Sequence, residues 1–179
     1  MKILVISDTH GEMPLNIKNM DFDAVIHAGD IGNAAFFSAL EVAAVEKNLY
    51  AVFGNTDFLL SEYLQESVSA KICGIQFFIV HNLTAPHRIL ASNESAINTA
   101  HSEIVVFGHT HTPVVEERGG RIFINPGSLG KVGLTGRRSF ATINSEESGK
   151  IEIEISDIDT HEVIVLKKFN KINGLFKEI

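Results

Sequence analysis

Four short polar fragments, Asp8-Thr9-His10, Gly29-Asp30, Gly54-Asn55-Thr56-Asp57 and Gly108-His109-Thr110-His111, each begin within one or two residues of the end of a hydrophobic run. The runs are Ile3 to Ile6, Ala24 to Ala28, Leu49 to Phe53 and Ile104 to Phe107; a fifth, Phe77 to Val80, ends at His81. Short runs rich in Ile, Val and Phe read as buried strands. If they lie parallel in one sheet, their carboxyl ends share an edge, which is where ligands bind in open α/β sheets. Seven side chains far apart in sequence then converge: Asp8, Asp30 and Asn55 with His10, His81, His109 and His111. That set reads as a metal site.

The inventory narrows the metal. Cys73 is the only cysteine, so thiolate zinc clusters, iron-sulfur centres and a disulfide framework within the chain are excluded. Seven oxygen and nitrogen ligands exceed what one ion takes and fit two. Mixed carboxylate and imidazole ligation suits manganese, iron, zinc, nickel or cobalt, whereas magnesium and calcium favour oxygen shells. A carboxylate such as Asp30 can bridge, one oxygen to each ion. Two ions roughly 3.5 to 4 Å apart form the clamp used for in-line displacement at phosphorus. The chemistry indicated is phosphoester hydrolysis.

In these fragments the chain resembles the calcineurin-like metallophosphoesterase family, whose ordered pattern is Asp-x-His, Gly-Asp, Gly-Asn-His-Asp/Glu, a lone His at a strand end, and Gly-His-x-His. It is most similar to the short bacterial and archaeal phosphodiesterases of that family, which lack a capping domain and end their core with Asn-Pro-Gly-Ser, here Asn125 to Ser128. The resemblance runs from Met1 to about Ile143. It implies that Asp8, His10, Asp30 and His111 hold a first metal, and that Asp30 bridges to a second completed by Asn55, His81 and His109. It also implies two divalent ions, manganese first, with nickel, zinc, iron or cobalt as alternatives. The expected reaction is attack on a small phosphodiester by a hydroxide bridging the ions, with Asn55 and His109 as the catalytic groups that neutralise charge on the phosphate oxygens. Asn125 to Ser128 would buttress the metal loops.

The pattern departs from the family at two places. Thr56 stands where larger members carry a histidine thought to help the leaving group depart, and a threonine hydroxyl is too weak an acid to replace it near neutral pH. His81 is followed by Asn82 where many members have glycine. Asn tolerates the left-handed backbone, so the loop can survive the change.

A chain of 179 residues is expected to form one domain spanning 1–179. No apolar run approaches the roughly 20 residues that cross a bilayer. The amino terminus is too short for a signal peptide and runs directly into Asp8, so a cytoplasmic location is expected. The formal charge of -7 argues against a strong nucleic-acid surface and against a nuclease acting on long DNA. Self-association into a homo-oligomer stays open. The one concentrated basic cluster, Lys131, Arg137 and Arg138, reads first as a solvated loop and second as a phosphate-guiding rim.

The fold class expected is α/β, with two packed mixed β-sheets flanked by helices in a four-layer α-β-β-α sandwich. Helices are predicted over Met13 to Met20, Asn33 to Val45, Ser61 to Glu66 and His87 to Ala100, the second capped by Asn33. Val68 to Cys73 and Ile75 to Val80 form a hairpin, with Cys73 buried in its strand. Strands at Val114 to Arg118, Arg121 to Ile124, Ser139 to Ile143, Ile151 to Ile155 and Val163 to Lys167 would make the second, largely antiparallel sheet. His27, His87, His101 and His161 match no motif position and read as structural or surface residues. The rival function is a metal-binding protein-interaction scaffold, since a retromer subunit of eukaryotes has a similar fold and departs from the ligand pattern. All seven ligand positions are filled here, which favours the enzyme.

Overall fold

Two strand patterns run through the chain: continuous apolar runs such as Ile3-Leu4-Val5-Ile6, and strict alternation such as Ile151-Glu152-Ile153-Glu154-Ile155. The first needs cover on both faces and the second on one. The computed structural model, which describes residues 1–13, 19–45, 48–83, 89–130, 136–146 and 148–179, provides both. In chain order the elements are β1 (Lys2–Ile6), β2 (Ala24–His27), α1 (Ala34–Ala43), β3 (Asn48–Ala51), a 3-10 turn (Leu60–Glu62), β4 (Ser67–Ile72), β5 (Ile75–Val80), α2 (Ala91–Thr99), β6 (Ile104–Val106), β7 (Val114–Arg118), β8 (Arg121–Asn125), β9 (Ser139–Ser145), β10 (Lys150–Asp157), β11 (Val163–Ile172) and β12 (Leu175–Glu178). One sheet has the order β12-β11-β10-β9-β1-β2-β3 and the other β4-β5-β6-β8-β7.

The two sheets pack face to face. Ile3, Val5 and Ile26 of one meet Phe77, Ile79, Val106 and Ile124 of the other in the largest apolar cluster. The opposite face of β1 and β2, with Leu4, Ile6 and Val25, is covered by Leu40 of α1. The outer face of the second sheet, with Phe78, Val105 and Phe123, is covered by Ile97 of α2. This is the expected helix–sheet–sheet–helix layering. Along β10, Ile151, Ile153 and Ile155 are buried while Glu152 and Glu154 are half-buried on the other face, so one covered side suffices there. The Asn33 carboxamide caps α1, accepting from the Phe36 amide at 2.9 Å.

The partition of strands differs from the expectation of one parallel sheet followed by an antiparallel one. β1, β2 and β3 are parallel neighbours, but β5, β6 and β8 form the parallel part of the other sheet. The hairpin explains the break: β4 pairs antiparallel with β5, and that pair starts a new sheet. The late strands then divide, β7 and β8 joining the second sheet and β9 returning antiparallel to β1. Cys73 is exposed rather than buried, because it occupies the first position of the two-residue turn, where both Cys73 (φ 54) and Gly74 (φ 85) are left-handed. The helix expected over Ser61 to Glu66 is only the 3-10 turn. Gln65 instead bridges Val52, and its carbonyl accepts from the Phe53 amide at 3.1 Å. The helix expected over Met13 to Met20 falls largely outside the described residues; that over His87 to Ala100 is observed as the shorter α2, Ala91–Thr99, with Ile89 and Leu90 not helical and His87 and Arg88 outside the described residues. Among the described residues no helix is long and apolar enough to cross a membrane.

Candidate metal centre

The seven candidate residues follow the carboxyl ends of five parallel strands: Asp8 and His10 after β1, Asp30 after β2, Asn55 after β3, His81 after β5, and His109 and His111 after β6. The loops carrying them continue the ladders. The amides of Asp8 and His10 donate to the carbonyls of Gly29 and Asp30, each at 2.9 Å, and the Gly108 amide donates to the His81 carbonyl at 3.0 Å. Two separate sheets thereby deliver side chains to one place.

That place has two halves. His111 Nε2 lies 3.2 Å from Asp8 Oδ1, and the rings of His10 and His111 are 5.5 Å apart. On the other side the Asn55 carboxamide oxygen lies 3.0 Å from His81 Nε2 and 2.8 Å from His109 Nδ1, with the two imidazoles edge to face at 5.2 Å. Asp30 stands between them, 3.9 Å from His10 Nε2 through one oxygen and 3.5 Å from His81 Nε2 through the other. Ligand atoms of Asp8, His10 and His111 fall within 4.8 Å of one another, as do those of Asp8, Asp30 and His81. Asp8, Asp30 and His81 are buried, His10 and His111 half-buried, and Asn55 and His109 exposed. The exposed pair is the side open to solvent.

The donor set fits divalent ions. The Ala28 carbonyl can only accept, so the hydrogen of His81 sits on Nδ1, 2.8 Å away, and the Nε2 lone pair faces the oxygens of Asn55 and Asp30. A lone pair set against two acceptor oxygens is satisfied by a cation among them. Burial pushes the Asp8 carboxyl up and is the largest single influence on it. The hydrogen bond with His111, the charge of His81, the Ser7 hydroxyl and the charge of His111 together still hold it below the usual carboxylate value.

Five of the seven residues, Asp8, His10, Asp30, His109 and His111, have left-handed backbone, with φ from 48° to 67°. Each such L-residue costs about 1 kcal/mol or more, although Asp, Asn and His bear it best. Strain concentrated on one cluster of imidazoles and carboxylates marks a functional site rather than ordinary turns. The glycines serve close approach. A Cβ on Gly54 would collide with the Asp30 carboxylate and amide, and one on Gly108 with the Ser7 hydroxyl. Neither of these two glycines has positive φ.

A supporting layer was legible only in part. Asn125 donates to the Gly108 carbonyl at 2.8 Å and to the Thr110 hydroxyl at 3.0 Å, and the Ser128 hydroxyl donates to the Asp8 carbonyl at 2.9 Å. The Asn-Pro-Gly-Ser turn therefore does buttress the loops that carry the candidate ligands. Sequence reasoning missed Asp57, 1% exposed, whose carboxylate accepts from the amides of Ile31 at 2.9 Å and of Gly32 and Gly54 at 2.8 Å. Thr56, in place of the family histidine, presents its amide to Asp30 at 2.9 Å. Lys131 lies outside the described residues. Arg137 pairs with Glu162 at 3.1 Å and Arg138 with Asp159 at 3.0 Å, so these two serve the β10–β11 connection, in keeping with the solvated-loop reading.

His27 is fully buried beneath the site. The Thr9 hydroxyl donates to the Ile31 carbonyl at 2.9 Å, which leaves His27 Nε2–H to donate to the Thr9 oxygen at 2.9 Å. Burial, opposed by the carboxylates of Asp57, Asp8 and Asp30, pushes His27 down to about 4. An unfolded histidine takes up its proton near pH 6.5, whereas the folded one waits until about 4, so stability is full above the higher value and falls as pH drops between them. The expected loss from His27 alone is about 2 kcal/mol between about pH 7 and about pH 5. Urea unfolding of wild type and His27→Gln at both values measures it, and the variant should show the shallower decline.

A model of the calcineurin-like phosphoesterase superfamily domain matches residues 1–148. A phosphodiesterase of Methanocaldococcus jannaschii is 31% identical over 172 residues, covering 86% of this chain and 98% of the relative. The phosphodiesterase YfcE of Escherichia coli strain K12 is 27% identical over 156 residues, covering 72% of this chain and 79% of that one. In fold, the structure of Vacuolar Protein Sorting 29 from Cryptosporidium parvum aligns with a TM-score of 0.77 at 22% identity, over 95% of this chain and 98% of that one. With its family pattern matched over most of its length, the chain belongs to the calcineurin-like phosphoesterase superfamily.

Proposed function

We propose that the 179 residues form a single domain that hydrolyses small phosphodiesters with two divalent transition-metal ions, manganese first, in the cytoplasm. The observation that carries this reading is the pair of histidine couples, His10 with His111 and His81 with His109, set on either side of Asp30. Asp8, His10, Asp30 and His111 would hold one ion, and Asp30, Asn55, His81 and His109 the other. Two such ions supply a water-derived nucleophile at neutral pH and offset charge on the phosphoryl group.

The rest belongs to the side chains. Asp30 keeps the two halves in register, held by the Thr56 amide. The Ala28 carbonyl fixes the tautomer of His81. Asn55 and His109, exposed at the mouth, are placed to neutralise the nonbridging oxygens of the ester, where charge grows as the leaving oxygen departs: Asn55 by donating from its amide nitrogen, His109 through the ion that it would hold. Their hydrogen bond to each other at 2.8 Å presets that pair before substrate arrives. Without a histidine at position 56, the leaving group departs without an imidazole acid from that loop. Phosphodiesterase relatives favour a diester over a monoester.

Stripping the purified protein of metal is expected to abolish hydrolysis of bis(p-nitrophenyl) phosphate, with manganese restoring it better than magnesium because four imidazoles favour a transition ion. Elemental analysis alongside the assay should show two ions per chain. Full activity in magnesium alone after exhaustive chelation would sink the assignment. The second reading, a protein-interaction scaffold, draws on the fold likeness and on an apolar groove of about 700 Å³ between α1 and edge strand β3, beside exposed Val45 and Tyr63. It gains ground if metal binds with two-ion stoichiometry and no ester is cleaved.

A further inference from the structure

Away from the metal loops, a second group of polar residues sits at the opposite edge of the sandwich. β6 and β8 are parallel and begin at Ile104 and Arg121, so Ser102 and Gly119-Gly120 lie at their amino ends, whereas His109 lies beyond the carboxyl end of β6. At about 3.3 Å per extended residue, the stretch from Ser102 to His109 separates the two places by roughly 20 Å. Here the tips of two hairpins from different sheets meet, the Phe176 amide donating to the Gly120 carbonyl at 2.9 Å. Between them and the segment after α2 lies a cavity of about 490 Å³, lined by His101, Ser102, Arg121, Gly119, Gly120 and Leu175 among others. That volume is ordinary for a small-molecule site.

The donors around this cavity outnumber their protein acceptors. Ser102 is 2% exposed, and its hydroxyl has no hydrogen-bond partner among the described residues, a state that folded proteins rarely leave unanswered. Arg121 spends one donor, Nε, on the Ser102 carbonyl at 3.0 Å; no partner for its two amino groups is found among the described residues. His101 is held left-handed at φ 50, an arrangement a surface turn does not need an imidazole to fill. The neighbouring acids are already engaged. Glu103 accepts from the Gln76 amide at 3.0 Å and pairs with Lys171, and Glu117 accepts from the Gly120 amide at 2.8 Å.

We propose that this cavity binds a small oxyanion, a carboxylate or a phosphate, gripped by the paired amino groups of Arg121 with the Ser102 hydroxyl as a further donor. The planar fork of arginine matches two oxygens of either anion, and the buried hydroxyl supplies what a point charge could not, a fixed direction. The site is independent of the metal centre and of the reaction proposed there.

The test is isothermal titration calorimetry with inorganic phosphate and, separately, malonate, at constant ionic strength, on protein stripped of metal and freed of chelator. Saturable binding of at least one probe is expected, weakened about 10-fold or more by Arg121→Ala and to a smaller extent by Ser102→Ala. Manganese-dependent diester hydrolysis by Arg121→Ala should match wild type. Binding of phosphate alone names a tetrahedral ligand, and binding of malonate alone a carboxylate; either supports the site. No saturable binding of either probe, or unchanged affinity in folded Arg121→Ala, overturns it. If Arg121→Ala does not fold, Arg121→Lys keeps the charge without the fork, and the same fall or constancy of affinity decides.

Discussion

Asp30→Asn is expected to lower kcat/KM for a phosphodiester by more than about 10²-fold, beyond the 10- to 100-fold range of residues that merely orient a metal ligand. The substitution is almost isosteric, and asparagine tolerates the φ of 53° found at position 30, so the backbone has no reason to move. The Thr56 amide can still donate to the remaining carbonyl oxygen. What disappears is a negative charge and one of the two oxygens that face His10 and His81. A group serving both halves of the centre must cost more than one serving a single half, so His10→Ala should be clearly milder. Steady-state kinetics at saturating manganese, with the metal content of each variant measured, tests the contrast. Equal and mild effects of the two substitutions would argue against a shared carboxylate.

The convergence of the candidate ligand loops could be read from the sequence because each lies immediately after a hydrophobic run, and a run's end fixes where its loop emerges regardless of which strand lies beside it. Partners are a different matter. Periodicity tells that Phe77 to Val80 is a strand but not that Val68 to Ile72 pairs with it and opens a second sheet. β12 was missed although Asn173-Gly174, both left-handed here, carries the strongest short hairpin signal, because only the five residues Leu175 to Ile179 follow it. Gly54 and Gly108, neither of them left-handed, are small because a neighbouring loop passes against them. That contact joins residues far apart in sequence and leaves no local trace.

Asp57 is the clearest such case and carries the largest expected effect on stability. Its three acceptances come from two loops, Ile31 and Gly32 beside Asp30, and Gly54 beside Asn55, and it is the only group among the described residues whose side chain ties those amides together. In Asp57→Asn one carboxylate oxygen becomes an NH₂ that cannot accept. Either the Gly32 amide, or those of Ile31 and Gly54 together, then faces a donor inside a site 1% exposed. One stranded buried amide costs about 1–3 kcal/mol, and the surviving bonds lose their charge assistance, so a loss of about 3–5 kcal/mol is expected. Both loops carry candidate ligands, so manganese affinity should fall with it, by about 10- to 100-fold. Urea unfolding of the metal-free protein separates the two effects, because the clamp acts without any ion while the affinity loss does not. A metal-free Asp57→Asn protein within about 0.5 kcal/mol of wild type would show that the loops hold each other without the carboxylate. The fall in affinity would then need another cause.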